Sequence, residues 1–386
     1  MTVSWKKWSS AAGRADEAFF VLGPPGQGSF AQQLDRCFEL YRTAVAESGV
    51  DRASAVAATV FLSDAANQEA ELRAHPGFAA LGASGAAITV IEQPPAAAKI
   101  GLFAYHVDRA GRDERRRLTL RGAKPEAAAL AITAEPYRFY YLKNLISHLR
   151  EDAAAQTVDL LGVPGFAAQS EGIGLDQVVR TWFYVHDIDT HYRSVSRARN
   201  HVFDRFGITF HTGFPASTGI GGRSADPADL VVLDLIAIDG LQPGQCRRME
   251  APTHMNPTVE YQVTFERGRE LSFGDRRHLY VSGTASIDNR GQILHLGDVC
   301  RQTRRAIENI AALLGNSGAA LGDLQYLIVY LRDPVDAELV AAELESCGLG
   351  GLPHIVVHAP VCRPGWLVEF EGVAVDAKGD ARFAAF

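Results

Sequence analysis

One pattern recurs three times along this 386-residue chain and constrains its fold more than any other feature. In each copy a helix with apolar residues at helical spacing leads through a short loop into an apolar strand, and an aspartate follows the strand. A glutamine in the helix and this aspartate are 31 positions apart in every copy: Gln33 and Asp64, Gln156 and Asp187, Gln302 and Asp333. A second apolar strand closes each copy and ends at an aspartate: Asp108, Asp239 or Asp376. We therefore predict three copies of one unit in which strands and helices alternate.

The register places the units near residues 1–125, 126–245 and 246–386. The third unit is the clearest, since its segments 259–267 and 278–288 are rich in β-branched and aromatic residues and are expected to be strands. A helix follows, with apolar residues at helical spacing between Ala306 and Leu314.

Composition excludes several classes of protein. With 47% hydrophobic and 22% charged residues and a net charge of −7, the chain is of ordinary globular composition and has no basic field that would attract nucleic acid. No stretch is long and apolar enough for a membrane span or a signal peptide, and the five cysteines are widely spaced. We expect a cytoplasmic protein with reduced thiols, no metal site and no cofactor, because metal-ligand clusters and G-x-G-x-x-G fingerprints are absent from the sequence.

The faces of the strands indicate where chemistry could lie. Side chains alternate across a strand, so residues 179–185 present one mainly apolar face that suits packing under helices. The other face carries Arg180, Trp182 and Tyr184. In the closing strand of the third unit, Glu369 and Glu371 likewise point away from the helices. Each sheet should therefore be covered by helices on one side and present polar and aromatic groups on the other.

The third unit is similar to the Rid family of small trimeric imine and enamine deaminases. The matching segments are YVSGTASIDNRGQILHLGDVCRQTRRAIENIAALL, GDLQYLIVYLRD and VVHAPVCRPGWLVEFEGVAVD. This resemblance implies a chorismate-mutase-like α/β (α+β) unit, with three units around a central barrel and ligand sites at their junctions. Here one chain would supply all three units as an intramolecular pseudo-trimer, so we expect a monomer or a loose dimer, with a homotrimer as the alternative.

A closer resemblance, over roughly residues 175–376, is to the chorismatases, which are larger relatives with the same fold. It rests on VVRTWFYVHDI, HYRSVSRARNHVF, FPASTGIGG, NPTVEYQVTFERG, LYVSGTASI and VVHAPVCRPGWLVEFEGVA, in this order. The resemblance implies a metal-independent enzyme that releases pyruvate from chorismate or a close relative and leaves 3- or 4-hydroxybenzoate or a dihydrodiol for secondary metabolism. A Rid-type deaminase and a non-catalytic binder of small carboxylates remain alternatives. The arginine that binds carboxylate in the deaminases has no clear match here, since His354 stands nearby instead.

Glu369 is the leading candidate for catalysis. It lies seven residues before Asp376, and the equivalent positions of the other two units hold Val232 and Gly101. A carboxyl group in only one repeat of three favours a general acid whose pKa is raised by partial burial, and the alternative is a carboxylate that is ion-paired with an arginine. The chorismatase resemblance implies that this glutamate protonates the methylene carbon of the enolpyruvyl ether, which leaves an oxocarbenium ion.

Two neighbours of Glu369 call for different interpretations. Cys362 lies seven residues earlier and could simply be a small buried residue. The resemblance implies instead that it shapes the pocket, as a cysteine does in hydroxybenzoate-forming chorismatases. Glu371 is matched by Asp234 in the second unit, which indicates a structural role.

A dianionic substrate needs cationic partners, and arginine pairs bidentately with carboxylates. Arg267 and Arg180 match basic positions of the family motifs, with exposed surface arginines as the alternative. Tyr184 and Tyr280 could line the site of the substrate ring or pack in the core. The other binding candidates are Gly283, Ala285 and Arg363, of which Arg363 has a structural role as its alternative. We expect the pocket between the second and third units, where clefts commonly bind ligands.

Overall fold

The computed structural model describes residues 2–386 apart from 12–13, 24–25, 121–123, 125, 172 and 262. Its first unit contains β1 (Thr2–Ser9), β2 (Asp16–Gly23), α1 (Phe30–Ser48), β3 (Ala55–Leu62), α2 (Ala65–Ala74), α3 (Pro76–Ala83), β4 (Ala87–Glu92) and β5 (Ile100–Asp108). The second contains β6 (Glu114–Arg117), β7 (Ala128–Ala134), β8 (Tyr137–Ile146), α4 (Ala153–Glu171), β9 (Val178–Val185), α5 (Ile188–Arg205), β10 (Ala216–Gly221) and β11 (Val231–Asp239). The third contains β12 (Cys246–Met249), β13 (Gly268–Ser272), β14 (Arg277–Ala285), α6 (Val299–Asn316), β15 (Leu324–Leu331), α7 (Ala337–Ser346), β16 (His354–His358) and β17 (Val368–Asp376).

The three units form three sheets with one common strand order. The orders are β1-β2-β5-β3-β4, β6-β7-β8-β11-β9-β10 and β12-β13-β14-β17-β15-β16, so the closing strand is central each time. The last two strands of each order are parallel to each other, and the other pairs are antiparallel. The mixed α+β class with three repeated units is confirmed. The boundaries at residues 125 and 245 stay a prediction, and β6, which precedes the first of them, pairs with β7 of the second sheet.

A buried glutamine makes the same two kinds of hydrogen bond in all three units. In each unit its side-chain Oε1 accepts a hydrogen bond from the backbone N–H of the residue directly before the closing strand. These bonds are Lys99 to Gln33 at 2.7 Å, Leu230 to Gln156 at 2.8 Å and Leu367 to Gln302 at 2.9 Å. The same side chain donates through Nε2 to a carbonyl before its own helix, on Gly28, Leu149 and His295 respectively. The glutamine therefore ties the start of the helix to the start of the closing strand.

Local signals set the helix ends. Ser29 caps α1 by accepting from the N–H of Gln32, and the Gln32 side-chain Oε1 in turn accepts from the Ser29 N–H. Gly49 ends this helix with φ of 73°, a left-handed conformation that glycine adopts without strain. Asp298 caps α6 in the third unit by accepting from the N–H of Arg301. These caps satisfy N–H groups that the first turn of a helix leaves unpaired.

The helices cover the outer faces of the sheets, and the inner faces meet around a central cavity of about 50 Å³. Aromatic rings from different units meet there: the ring centroids of Phe19 and Tyr326 are 5.7 Å apart, and those of Tyr105 and Tyr141 are 6.3 Å apart. All three sheets contribute to the lining of this cavity. Burial of these inner faces joins the units into one core.

One sequence expectation in the third unit is wrong. Residues 258–261 form a 3₁₀ turn, and β13 begins only at Gly268, so the described part of the segment 259–267 is not a strand; residue 262 lies outside the described residues. The physical reason is that the backbone of this segment makes its hydrogen bonds outside the ladder of a β-sheet. The Thr258 hydroxyl donates to the Phe265 carbonyl, and the Glu266 N–H donates to the Pro215 carbonyl of the second unit. The segment therefore crosses towards the second unit instead of joining its own sheet.

Candidate active site

A cavity of about 60 Å³ lies where the second unit meets the third, and we call it the junction cavity. Isolated bridges between Ala216 and Glu266 and between Ile220 and Val361 hold β10 against the third unit. The second unit lines the cavity with Tyr192, Arg199, Ser217 and Gly219. The third unit contributes Val263, Phe265, Arg267, Gly283, Ala285, Ile287, Cys362, Arg363, Trp366 and Glu369.

The Glu369 side chain enters this cavity from β17, with Ala285 of β14 and Tyr330 of β15 as its strand neighbours. Only 5% of the residue is exposed. Its Oε1 lies so close to Gly283 that a Cβ atom built there would be 2.3 Å away, so the absence of a side chain at residue 283 makes room for the carboxyl group. The carboxyl group lines the junction cavity and so faces the space that a ligand would occupy.

The electrostatic environment makes Glu369 an acid. Burial, and then the neighbouring Glu371 carboxylate, raise the pKa of Glu369 to about 8, although Arg180 and Arg267 act in the opposite direction. At neutral pH the carboxyl group therefore holds its proton. A protonated carboxyl group in a water-poor cavity can deliver a proton to a bound molecule.

Cys362 is placed next to this acid but is not activated as a nucleophile. Burial raises the pKa of the Cys362 thiol to about 12, and the Glu369 carboxyl adds to the effect. The Tyr192 hydroxyl lies within hydrogen-bonding reach of the thiol. Since the thiolate is the reactive form of cysteine, Cys362 is suited to shaping the cavity and not to forming a covalent bond.

Arginines supply the positive charge of the junction cavity. Arg267 donates through Nε and Nη2 to the Asn256 carbonyl at 3.2 Å, and burial, with Arg363 nearby, lowers its pKa to about 10. Arg199 of α5 is 3% exposed and donates through Nε to Thr264 at 3.1 Å. Its Nη2 is buried and, within the described part of the chain, has no hydrogen-bond partner. A buried cationic donor without a partner is a binding position for an anionic oxygen.

The structure separates the predicted site residues into two groups. The first group lines the junction cavity and consists of Glu369, Cys362, Arg267, Gly283, Ala285 and Arg363.

Arg180, Tyr184 and Tyr280 lie elsewhere, on the inner faces of the sheets. Tyr184 and Tyr280 line the central cavity, and Arg180 is bound to Glu371 through a 2.7 Å contact between Nη2 and Oε2. The Tyr184 hydroxyl donates to Asp234 at 3.3 Å. Arg180 and Tyr184 thus have side-chain partners on the inner faces, while the buried Arg180 Nη1 has none in the described part of the chain. A role in contacting substrate stays a prediction for all three residues.

The side chains of the junction cavity that sequence reasoning missed include Tyr192, Arg199, Phe265 and Trp366. A signal was present for the first two, which lie seven residues apart and so on one face of α5, within a segment that carries the chorismatase resemblance. Trp366 donates through Nε1 to the Ser286 carbonyl, and the Arg363 guanidinium lies 4.8 Å from its ring. His354 of β16 does not line this cavity, and its Nδ1 contacts the Leu352 carbonyl.

The structure consists of three units with a Rid-like fold in one chain, and the junction cavity lies between the second and the third. Residues 272–376 match the family model described as Endoribonuclease L-PSP. Over 230 residues the chain is 30% identical to a 3-hydroxybenzoate synthase of Streptomyces hygroscopicus, an alignment that covers 53% of this chain and 65% of the relative. A chorismatase of Streptomyces rapamycinicus is 30% identical over 225 residues, or 52% of this chain and 65% of that protein.

A solved structure matches over the whole chain. A crystal structure of a chorismatase has a TM-score of 0.62 at 20% sequence identity, with 97% of this chain and 99% of that chain covered, which shows the shared fold. The chain is therefore similar to chorismatases in sequence over about half of its length and in fold over nearly all of it. The alignments cover 65% of the length of each of these two curated relatives, which is less than two thirds.

In the part of the chain that the structure describes, none of the helices is both long and apolar enough to cross a membrane. Within the same part of the chain, no group of three or more histidine, cysteine, aspartate or glutamate side chains is arranged to hold a metal ion.

Proposed function

We propose that this protein cleaves the enolpyruvyl ether of chorismate, or of a close relative, and releases pyruvate. The observation that carries the proposal is a buried, protonated Glu369 in a cavity whose other charged side chains are arginines. The curated relatives named 3-hydroxybenzoate synthase and chorismatase support the choice of substrate. In this proposal the reaction proceeds by general-acid catalysis, with Glu369 as the acid.

Substrate binding is the first step of the proposal. Chorismate carries two carboxylates, and Arg199 with its unpaired Nη2 takes one of them. Arg267 and Arg363 provide further positive charge on the other side of the cavity. Phe265 and Trp366 provide apolar surface for the substrate ring. Because the site is buried, each ion pair formed there is stronger than it would be in water.

Proton transfer is the second step. Glu369 donates its proton to the methylene carbon of the enolpyruvyl group, which becomes an oxocarbenium ion. The resulting Glu369 carboxylate stabilises this cation across a short distance. In one route water adds to the oxocarbenium carbon, and the resulting hemiketal collapses to pyruvate and a dihydrodiol, which keeps the ether oxygen. In the other route the bond between the ring carbon and the ether oxygen breaks and releases pyruvate, and the ring then loses a proton to the Glu369 carboxylate to become a hydroxybenzoate. Cys362, at the wall of the cavity, acts by its shape on which of these products forms.

The proposal is tested by incubating the purified protein with chorismate. Pyruvate is measured by coupled reduction with lactate dehydrogenase, and the ring product is identified by liquid chromatography with mass spectrometry. Glu369→Gln is the matched control, since it keeps the shape of the side chain and removes the acid. We expect pyruvate with a stoichiometric ring product from the wild type. Pyruvate release no faster than in the Gln variant would refute the proposal.

A further inference from the structure

A buried polar cluster forms the wall between the junction cavity and the central cavity. We call it the Glu371 cluster; it consists of Glu371, Arg180, Trp182 and Thr218. Trp182 Nε1 donates to Glu371 Oε1 at 2.7 Å, and Arg180 Nη2 donates to Oε2 at 2.7 Å. The Thr218 hydroxyl also donates to Oε2. Arg180 is 1% and Glu371 3% exposed, so this ion pair is shielded from solvent.

The cluster is connected to the candidate acid Glu369 in two ways. Glu371 lies two positions after Glu369 on β17, so both side chains are on the same face of the strand. The Thr218 Oγ1 atom accepts a hydrogen bond from the Gly283 N–H at 3.1 Å. Gly283 is the residue against which Glu369 Oε1 rests. The cluster therefore fixes both the charge beside Glu369 and the backbone that its carboxyl group touches.

The junction of the first and second units holds a counterpart of this cluster. Asp234, the equivalent of Glu371, accepts from the Thr89 hydroxyl at 2.5 Å and pairs with Lys143 at 2.5 Å. Thr89 in turn accepts from the Asn144 N–H at 3.0 Å, as Thr218 does from Gly283. The difference is at the position equivalent to Glu369, where this junction has Val232. A structural cluster thus recurs, but it stands next to an acid at only one of these two junctions.

We propose that Glu371 is a positioning residue, whose ion-paired carboxylate keeps the neighbouring Glu369 protonated and seated against Gly283. This inference rests on the proposed function of Glu369 as the acid. A negative charge two positions away on the same face disfavours a second negative charge in a buried site. This is the direction in which the Glu371 carboxylate acts on the pKa of Glu369.

Other titratable or charged groups also face Glu369, and they contribute to its pKa together with Glu371. Arg180 and Arg267 favour its ionised form, and the effect of Glu371 on its pKa is larger than that of either. The remaining groups around the cavity are Tyr192, Arg199, Cys362 and Arg363. Removing only the Glu371 charge leaves every cation in place, so Glu369 must then lose its proton at a lower pH.

The test compares Glu371→Gln with Asp234→Asn as a matched control. Both substitutions neutralise a buried acid in the same structural setting, so both should lower thermal stability. In Glu371→Gln alone, the pH midpoint at which pyruvate release falls should move down by about one unit. Glu371→Asp keeps the charge and should retain a midpoint near that of the wild type. A folded Glu371→Gln protein with the wild-type midpoint would overturn the proposal.

A second measurement separates this proposal from the proposed reaction. Infrared difference spectra of ¹³C-glutamate-labelled protein, with Glu369→Gln as the reference, report the protonated carboxyl group of Glu369 directly and need no turnover. If the wild type does not act on chorismate, the proposed function fails, and this titration still decides the role of Glu371. If Glu371→Gln does not fold, the double variant Arg180→Met/Glu371→Gln removes the unpaired cation as well. It should show a smaller downward shift, and no shift would refute the inference.

Discussion

Gly283→Ala tests whether the position of the Glu369 carboxyl group matters for activity. The added Cβ would lie 2.3 Å from Glu369 Oε1 and 2.9 Å from Cδ, against about 3.4 Å for ordinary contact, so the carboxyl group must move by about 1 Å. The other close atom, Thr218 Cγ2, is 3.3 Å away and needs only a slight adjustment. Because only the end of a flexible side chain has to move and the backbone does not, the free energy of unfolding should change little. A displacement of this size can reduce turnover by about 100-fold.

The assay for Gly283→Ala is pyruvate release from chorismate, with kcat and KM determined separately and thermal melting measured in parallel. Gly315→Ala in α6 is the control, since a Cβ there would meet nothing within 4 Å. We expect a large fall in kcat for Gly283→Ala and wild-type kinetics for Gly315→Ala. Wild-type kcat in a stably folded Gly283→Ala protein would show that the observed carboxyl position is not the catalytic one.

Four further predictions follow from the same site. Glu369→Gln should lower kcat by about 10²–10⁴-fold, the usual contribution of a general acid, with substrate binding largely retained as measured by calorimetry. Activity should be highest while Glu369 is protonated and should decline as the pH rises through about 8, and a profile that instead rises through this range would contradict the acid role. Arg199→Met should raise KM by about tenfold or more through loss of a charged hydrogen bond, with a smaller effect on kcat. Cys362→Ala should change the ratio of ring products more than the rate, as read by chromatography.

The predicted oligomeric state is open to a direct measurement. One chain supplies three units whose inner faces already meet, so we expect a monomer or a loose dimer. Light scattering at micromolar concentration reports the mass. A stable trimer of chains would contradict the expectation.

The sequence by itself determined the repeated unit and the position of the candidate acid. The 31-residue spacing between glutamine and aspartate lies within one unit each time, and each glutamine also bonds only within its own unit. Glu369 could be recognised from the repeat register, since Val232 and Gly101 occupy the same place in the other units. Both inferences compare one unit with another and need no knowledge of how the units pack.

Only the tertiary structure decided which side chains share a cavity. Arg180 and Glu371 are 191 positions apart, and their ion pair holds the Arg180 guanidinium outside the junction cavity. Arg199 came into the site because α5 of the second unit packs against the third unit, where its Nη2 remains unpaired. The alternation of a strand shows which face a side chain points to, but not which partner it meets there. That partner depends on contacts between units far apart in the chain, which local sequence patterns do not encode.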